Sequence, residues 1–264
     1  MSTGGRADEL GGQQVEGHHA VYELLSAGRR RTRRLWVSEG QAPAEPLRRI
    51  LELARQQGVV VQRKNADALL AAARTAAPQG ILAWADPVVP LALADLLDVP
   101  AGAPPPFLLV LDGVTDPGNF GSILRSAACA GVGGVVIGRH RSAPLTPAAL
   151  KAAAGAVEVV PIATVPGVAA VLPQLAKAGV WAVGLDPEGK EDLWRCRLLD
   201  APVALVLGSE GDGLSQLVRR RCDVLARVPQ TGPLSSLNVA AAAAVACFEV
   251  ARRRCAAPRA GGAG

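Results

Sequence analysis

The sequence predicts an α/β protein in two parts, a small N-terminal unit and a larger C-terminal one, and three observations carry that reading. Apolar, strand-length runs alternate with helical patterns along nearly the whole chain, the order that builds sheets with crossover helices. In the second part, runs such as FLLVLD (107–112) and VALVLG (203–208) are apolar without the every-second-residue alternation of a half-exposed strand, so they belong to strands covered on both faces of a parallel sheet. Between the parts, six prolines fall from Pro87 to Pro106, a density that marks a linker.

Residues 1–13 are Gly-rich and charged and 257–264 are small and Pro/Gly-rich, so both are expected to be disordered tails. In the first part, residues 14–86, apolar spacing predicts helix 19–27, strand 34–37, helix 44–57, strand 59–62, helix 66–73 and strand 81–85. The linker, 87–105, allows one short helical turn at 93–97. The second part, 106–256, opens with strand 107–113. Helix 120–130 follows because Phe120, Ile123, Leu124, Ala127 and Ala128 form one apolar stripe, with Asn119 placed as its cap and Arg125 on the opposite side. Next come strand 133–138, helix 147–157, strand 159–165, helix 168–178, strands 181–186 and 203–208, helix 214–221 and strand 224–229. An Ala-rich helix, 237–254, ends the chain, with Ser235 or Ser236 as a candidate cap.

Composition narrows function. Half of the 264 residues are apolar but only 3% are aromatic, which argues against a module that grips nucleic acid by stacking bases on rows of aromatic rings. The net charge is +5, and only four of the 28 basic residues are lysines, so the positive charge is the forked, phosphate-matching kind. Five of the arginines, Arg29, Arg30, Arg31, Arg33 and Arg34, fall within six residues and are candidate phosphate contacts, which the family resemblance given below turns into RNA contacts; Arg139 and Arg141 are weaker candidates, and Arg219, Arg220 and Arg221 suit a helix C-terminus. The five cysteines include no C-x-x-C pair and read as reduced thiols in a cytoplasmic protein. No cluster has metal-ligand spacing, and no apolar run reaches the length of a membrane span.

Three loops at the ends of strands carry residues that strands and helices do not need for themselves. They are Asp112–Arg125 (DGVTDPGNFGSILR), Leu207–Leu214 (LGSEGDGL) and Val228–Val239 (VPQTGPLSSLNV), all expected at the carboxyl ends of parallel strands, where open sheets bind ligands. Taken singly, each has a plain reading: a helix cap and a solvated arginine in the first, a Gly-rich turn in the second, a serine cap in the third. A buried Glu210 would need a partner such as Arg or backbone N–H groups. The first loop lacks the G-x-G-x-x-G of a dinucleotide fold, which disfavours a Rossmann enzyme.

Together, DPGNFGSILRSA, LVLGSEGDGL and VPQTGPLSSLNVAAAAA resemble the three signature motifs of the SpoU (TrmH/RlmB-like) family of RNA 2'-O-ribose methyltransferases, in the SPOUT class. The resemblance implies a C-terminal α/β-knot, a deep trefoil knot in a mostly parallel sheet, from about Phe107 to Arg254. The N-terminal block, from Gly17-His18-His19 to Gln79-Gly80-Ile81, is similar to the family's small L30e-like substrate-binding domain. Also implied are S-adenosyl-L-methionine as cofactor, held by backbone atoms of Gly208, Val228 and Leu237, and a homodimer with the active site near its interface. Asn119, Arg125, Glu210, Ser236 and Asn238 match the family's functional polar positions. Two departures are Ala240, where many members have Ser, and Pro78, where many have His. The family's reaction is attack of a ribose 2'-oxygen on the sulfonium methyl. Arg125 is assigned there to hydroxyl activation, but a guanidinium stays protonated, so a phosphate clamp that stabilises the developing oxyanion is the better role. The two-part layout points to a guanosine of 23S ribosomal RNA; a tRNA guanosine, an rRNA adenosine of the resistance type and a non-catalytic RNA-binding protein on the same scaffold are the alternatives.

Overall fold

The computed structural model describes residues 12–40, 44–100, 102–140, 142, 145–233 and 236–256. In chain order the elements are β1 (Gln13–Glu16), α1 (His18–Ala27), β2 (Thr32–Ser38), α2 (Glu45–Gln56), β3 (Val60–Lys64), α3 (Ala66–Ala72), β4 (Ile81–Ala85), α4 (Leu93–Leu97), β5 (Phe107–Asp112), α5 (Pro117–Ala130), β6 (Gly134–Gly138) and α6 (Pro147–Ala152). They continue with β7 (Ile162–Val165), α7 (Leu172–Lys177), β8 (Trp181–Leu185), β9 (Glu191–Asp192), β10 (Val203–Gly208), α8 (Gln216–Arg221), β11 (Val224–Arg227) and α9 (Val239–Ala256). The chain forms two compact units. One contains residues 12–89 and 145–159, the other 90–142 and 160–256.

The first unit holds a four-stranded sheet in the order β1-β4-β2-β3, with β2 and β3 parallel and the other pairs antiparallel. β1 was not expected, because Gln14 and Glu16 are polar; both are nonetheless fully buried. The Glu16 carboxylate accepts the backbone N–H groups of Arg74 and Thr75, the Thr75 hydroxyl and the Gln14 amide, which supplies the compensation a buried charge requires. The helix expected at 147–157 in the second part lies in segment 145–159, which folds instead with this unit, as α6 and a 3-10 turn at Ala156–Glu158.

That segment explains Arg30. Its guanidinium forms a two-pronged ion pair with Glu158, the side chains being 7% and 2% exposed, and donates to Gln13 Oε1 and Asp86 O. Arg30 is therefore a structural arginine and is withdrawn from the proposed RNA contacts. Glu158→Gln should lower stability by about 3 kcal/mol, because removing one partner leaves an uncompensated buried charge. Urea unfolding followed at both wild type and variant would measure it, and a change below ~1 kcal/mol would mean that solvent reaches the pair.

The second unit is built on one seven-stranded parallel sheet, in the order β7-β6-β5-β10-β8-β11-β9. β10 is buried throughout and β5 up to the half-buried Asp112 at its end, as their unbroken apolar runs predicted. The proline-dense stretch is not merely a linker: Pro90 onward belongs to this unit, Leu91 bridges to Ala163, and Leu93 and Leu96 of α4 pack into its core. α9 packs against α5 and β10, and its Ala243, Ala246, Cys247 and Val250 are buried. Burial pushes the Cys247 thiol up to about 12, and burial, then the neighbouring Asp223, does the same for Cys222, so both stay protonated and unreactive at neutral pH. Arg253, near the end of α9, ties the helix down by pairing with Glu249 and Asp200 and donating to the carbonyls of Cys196 and Trp194. Hydrogen bonds from Arg252, which makes two, and then from Arg253 hold the Glu249 carboxyl below the usual range. No helix among the described residues is long and apolar enough to cross a membrane.

Candidate active site

Strand register decides which loops meet. β10 pairs with β5 so that Gly208 lies opposite Asp112, and β8 carries Leu185 opposite Ala226 of β11. The loops leaving β5, β8, β10 and β11 therefore emerge together at the carboxyl edge. Outward from β5 the chain runs through β6 and β7, while β8 and β11 lie on the far side of β10, so the strand order reverses between β5 and β10. Ligands of open α/β sheets bind at such a reversal.

The loop after β10 is a tight turn in which Ser209 N donates to Gly213 O and Gly213 N to Ser209 O. Gly211 and Gly213 adopt φ of +88° and +66°. A Cβ on Gly208 would lie 2.0 Å from Gly213 C and 2.2 Å from Leu214 N, so only glycine fits there. Asp112 Oδ2 accepts Ser215 N at 2.8 Å and fixes the far end of the turn.

At the mouth of these loops three side chains form one hydrogen-bonded group. Asn119 Nδ2 donates to Glu210 Oε1 at 2.7 Å, Asn238 Nδ2 donates to the same oxygen at 2.5 Å, and Asn238 Nδ2 also approaches Asn119 Oδ1 at 3.2 Å. The orientation of the Asn238 amide is set by the backbone: its Oδ1 accepts Ala240 N and Ala241 N as the cap of α9, so its Nδ2 must face the carboxylate. Glu210 is exposed and held by two side-chain amides, rather than buried with an arginine or backbone N–H groups as partner, and its Oε2 has no hydrogen-bond partner among the described residues.

Two cavities flank this group. The larger, about 860 Å³, runs from Leu185–Glu188 past Leu207–Leu214 to Val228, Gln230, Ser236–Val239 and Ala242. The smaller, about 210 Å³, lies between Gly113–Asp116, Asn119, Ser209, Glu210 and Val239. Comparison with known proteins then decides the family. The model of the SpoU rRNA methylase family matches residues 106–248, and that of RNA 2'-O ribose methyltransferase substrate binding matches residues 14–90.

The chain belongs to the SpoU rRNA methylase family. It is 38% identical over 249 residues to the 23S rRNA (guanosine-2'-O-)-methyltransferase RlmB of Pseudomonas putida, covering 92% of this chain and 97% of the relative. With the enzyme of the same name from Escherichia coli K12 it is 38% identical over 242 residues, covering 92% and 99%. Among solved structures, the SpoU methyltransferase AviRb of Streptomyces viridochromogenes in complex with AdoMet superposes with a TM-score of 0.77 at 25% identity, covering 97% of this chain and 95% of that one. An AdoMet-bound rRNA methyltransferase of Sinorhizobium meliloti gives 0.73 at 27% identity, covering 93% and 88%.

In this SpoU methylase, Gly208, Glu210, Val228, Ser236, Leu237 and Asn238 line the larger cavity, and Asn119 and Glu210 line the smaller one. Arg125 is not brought to them: it stands exposed on α5, lines neither cavity, and makes no ion pair or hydrogen bond among the described residues. Two cap assignments change. α5 begins at Pro117 and is capped by Asp116, whose Oδ1 accepts Asn119 N at 2.7 Å, which frees the Asn119 amide for Glu210. α9 is capped by Asn238, while Ser235 lies outside the described residues.

Sequence reasoning missed the wall after β8. Asp186 is buried, accepts Glu188 N at 2.8 Å and pairs with Arg219 of α8 at 3.0 Å, so Arg219 is tied to the cavity wall and does more than end a helix. The acid directly after an apolar strand was the available signal. Of the basic run, Arg29 and Arg31 are exposed, Arg33 pairs with Asp86 at 2.7 Å on the surface, Arg34 is half-buried on β2, and Arg30 is buried in its ion pair. Arg139 is exposed, and Arg141 lies outside the described residues.

Proposed function

We propose that this protein transfers a methyl group from S-adenosylmethionine to the ribose 2'-oxygen of a guanosine in 23S ribosomal RNA, in the cytoplasm. The observation that carries the reading is the Asn119–Glu210–Asn238 group standing between two cavities at the strand-order reversal, in a chain whose curated relatives are named for that reaction. The larger cavity fits the cofactor. Its volume falls in the range of small-molecule sites, about 300–1,000 Å³, and its walls combine apolar Leu185, Leu207, Val228 and Leu237 with the backbone of the 208–213 turn. When bound, S-adenosylmethionine supplies an electrophilic methyl group on a sulfonium.

The chain's own residues align the acceptor and accommodate its charge. Asn119 and Asn238 fix Glu210 at the mouth, and Glu210 Oε2 is left as an acceptor. Arg125 clamps the phosphate next to the target ribose and stabilises negative charge on the 2'-oxygen, while its proton passes to phosphate or water. Ser236 adds a hydroxyl to the cavity wall. The knot is proposed to form where the chain passes from β10 through the 228–238 loop into α9; support comes from β10 lying between β5 and β8 and from α9 packing back on α5. A homodimer is proposed through α9, on which Phe248 is half exposed. The N-terminal unit, L30e-like in this reading, is assigned to RNA with Arg29, Arg31, Arg33 and Arg34 as contacts.

The test is transfer of labelled methyl from S-adenosylmethionine to 23S rRNA, with the 2'-O-methyl position mapped in RNA from cells with and without the protein. Methylation of transfer RNA alone would overturn the target assignment. Titration of RNA binding at several salt concentrations should lose about one unit of salt slope for each of Arg29 and Arg31 replaced by Ala. An unchanged slope would remove them from the interface.

A further inference from the structure

One wall of the larger cavity is the turn that follows β8, where Leu185, Asp186, Pro187 and Glu188 line it. Backbone contacts shape this turn. Asp186 N donates to Ala226 O at 3.0 Å, Gly189 N to Asp186 O at 2.9 Å, and Glu188 N to Asp186 Oδ1 at 2.8 Å. A Cβ on Gly189 would lie 2.7 Å from Leu225 O and 2.9 Å from Arg227 N, so the turn is pressed against β11 with no room to settle further. Its side chains are tied by Arg219 of α8, whose Nε reaches Asp186 Oδ2 at 3.0 Å and whose Nη2 reaches Glu188 Oε2 at 3.1 Å. The two arms are unequal: Asp186 is 9% exposed and Glu188 78%, so solvent screens the second arm and the first carries the tie. Arg219 is joined to the other wall as well. Its N donates to Ser215 O at 2.8 Å, at the end of the turn after β10, and Ser215 N is held by Asp112 Oδ2 at 2.8 Å. One guanidinium thus couples the turn after β8 to the turn after β10, and both line the cavity.

We propose that Arg219 is a positioning residue for the methyl donor: by tying Asp186 and Glu188 to α8 it fixes the gap between the two turns and so sets the affinity for S-adenosylmethionine. The inference rests on the reading that the larger cavity holds the cofactor. A wall that must be ordered when its ligand arrives weakens binding, because the ordering cost opposes affinity. With the tie in place the wall is ordered beforehand. Arg219 acts through Asp186 and Glu188, so its removal loosens the site and leaves the reacting groups at Asn119, Glu210 and Asn238 as they are.

The experiment measures calorimetric affinity for S-adenosylmethionine, kcat and KM with 23S rRNA, and thermal melting. It compares wild type with Arg219→Ala, Arg219→Lys, Asp186→Asn and the double variant Asp186→Asn/Arg219→Ala. Arg219→Ala should weaken cofactor affinity about tenfold, the size of one charge-assisted hydrogen bond, while kcat at saturating cofactor and KM for RNA stay within about twofold. Arg219→Lys keeps a charge long enough to pair with Asp186 and should stay within about threefold of wild-type affinity. Asp186→Asn should reproduce most of the loss, and the double variant should lose no more than Arg219→Ala alone, since both changes break one tie. Additive losses would overturn the proposal and make Arg219 a direct cofactor contact. A fall in kcat at unchanged affinity would overturn it too, as would wild-type affinity in a folded Arg219→Ala; should that variant not fold, Asp186→Asn carries the same comparison. A wild-type protein that binds no S-adenosylmethionine would instead overturn the assignment of the cavity itself.

Discussion

Gly208→Ala is expected to abolish cofactor binding and methyl transfer together. The added Cβ would sit 2.0 Å from Gly213 C and 2.2 Å from both Gly213 O and Leu214 N. These are backbone atoms, which cannot swing away as a side chain can. β10 itself cannot yield, since it is paired with β5 on one side and β8 on the other. The 209–213 turn must therefore move by an ångström or so, and it carries Glu210 and one wall of each cavity. A displacement of about 1 Å at reacting groups costs on the order of a hundredfold in rate, before any loss of binding. Overpacking adds roughly 1–3 kcal/mol of destabilisation. Calorimetry with S-adenosylmethionine, alongside circular dichroism to verify folding, is the measurement. A folded variant with wild-type affinity would show that the turn is not part of the cofactor wall.

Arg125→Ala should reduce kcat by about 10²–10³ while leaving cofactor affinity unchanged. The magnitude is that of losing the phosphate contact that aligns the acceptor, since a misplacement of about 1 Å costs on the order of a hundredfold. Selectivity for kcat follows from position: Arg125 lines neither cavity and braces nothing in the described structure, so its removal leaves the cofactor site intact. Arg125→Lys separates charge from shape. Lysine keeps the charge but cannot present the planar fork that grips phosphate oxygens two at a time, so most of the loss should persist. Near-native turnover in the Lys variant would replace the clamp with a purely electrostatic role, and loss of cofactor binding in the Ala variant would make Arg125 structural.

The sheet of the second unit was legible because both-face burial writes itself as unbroken apolar runs; Phe107–Asp112 and Val203–Gly208 were located to within a residue. The order of those strands was not, since pairing between β5 and β10 joins segments far apart in sequence. Nor does periodicity distinguish a helix that stays with its sheet from one that leaves: Pro147–Ala152 reads the same either way. β1 was hidden by Gln14 and Glu16, polar residues whose burial depends on hydrogen bonds made across the fold. At the site, the motif residues Asn119, Glu210 and Asn238 were named in advance, but the cap positions were misplaced. Asp, Asn and Ser all cap well, and sequence alone does not choose among Asp116, Asn119, Ser236 and Asn238. Arg30 was misread for a related reason: five arginines in six residues look like one basic face, while the carboxylate that claims one of them, Glu158, lies far along the chain.

That ion pair bears on biosynthesis. A ribosome emits the chain in order, and domains ordinarily fold as they emerge. Here the N-terminal unit cannot neutralise Arg30 until Glu158 follows, about 70 residues after Val89, or roughly 4–14 s later at ordinary elongation rates. By then β5 and β6 are already synthesised, so the nascent chain completes its first unit with part of its second exposed. Truncation at the proline-dense boundary would leave the fragment with a buried guanidinium lacking its counter-ion. The two units are interleaved along the chain and therefore in the order of synthesis.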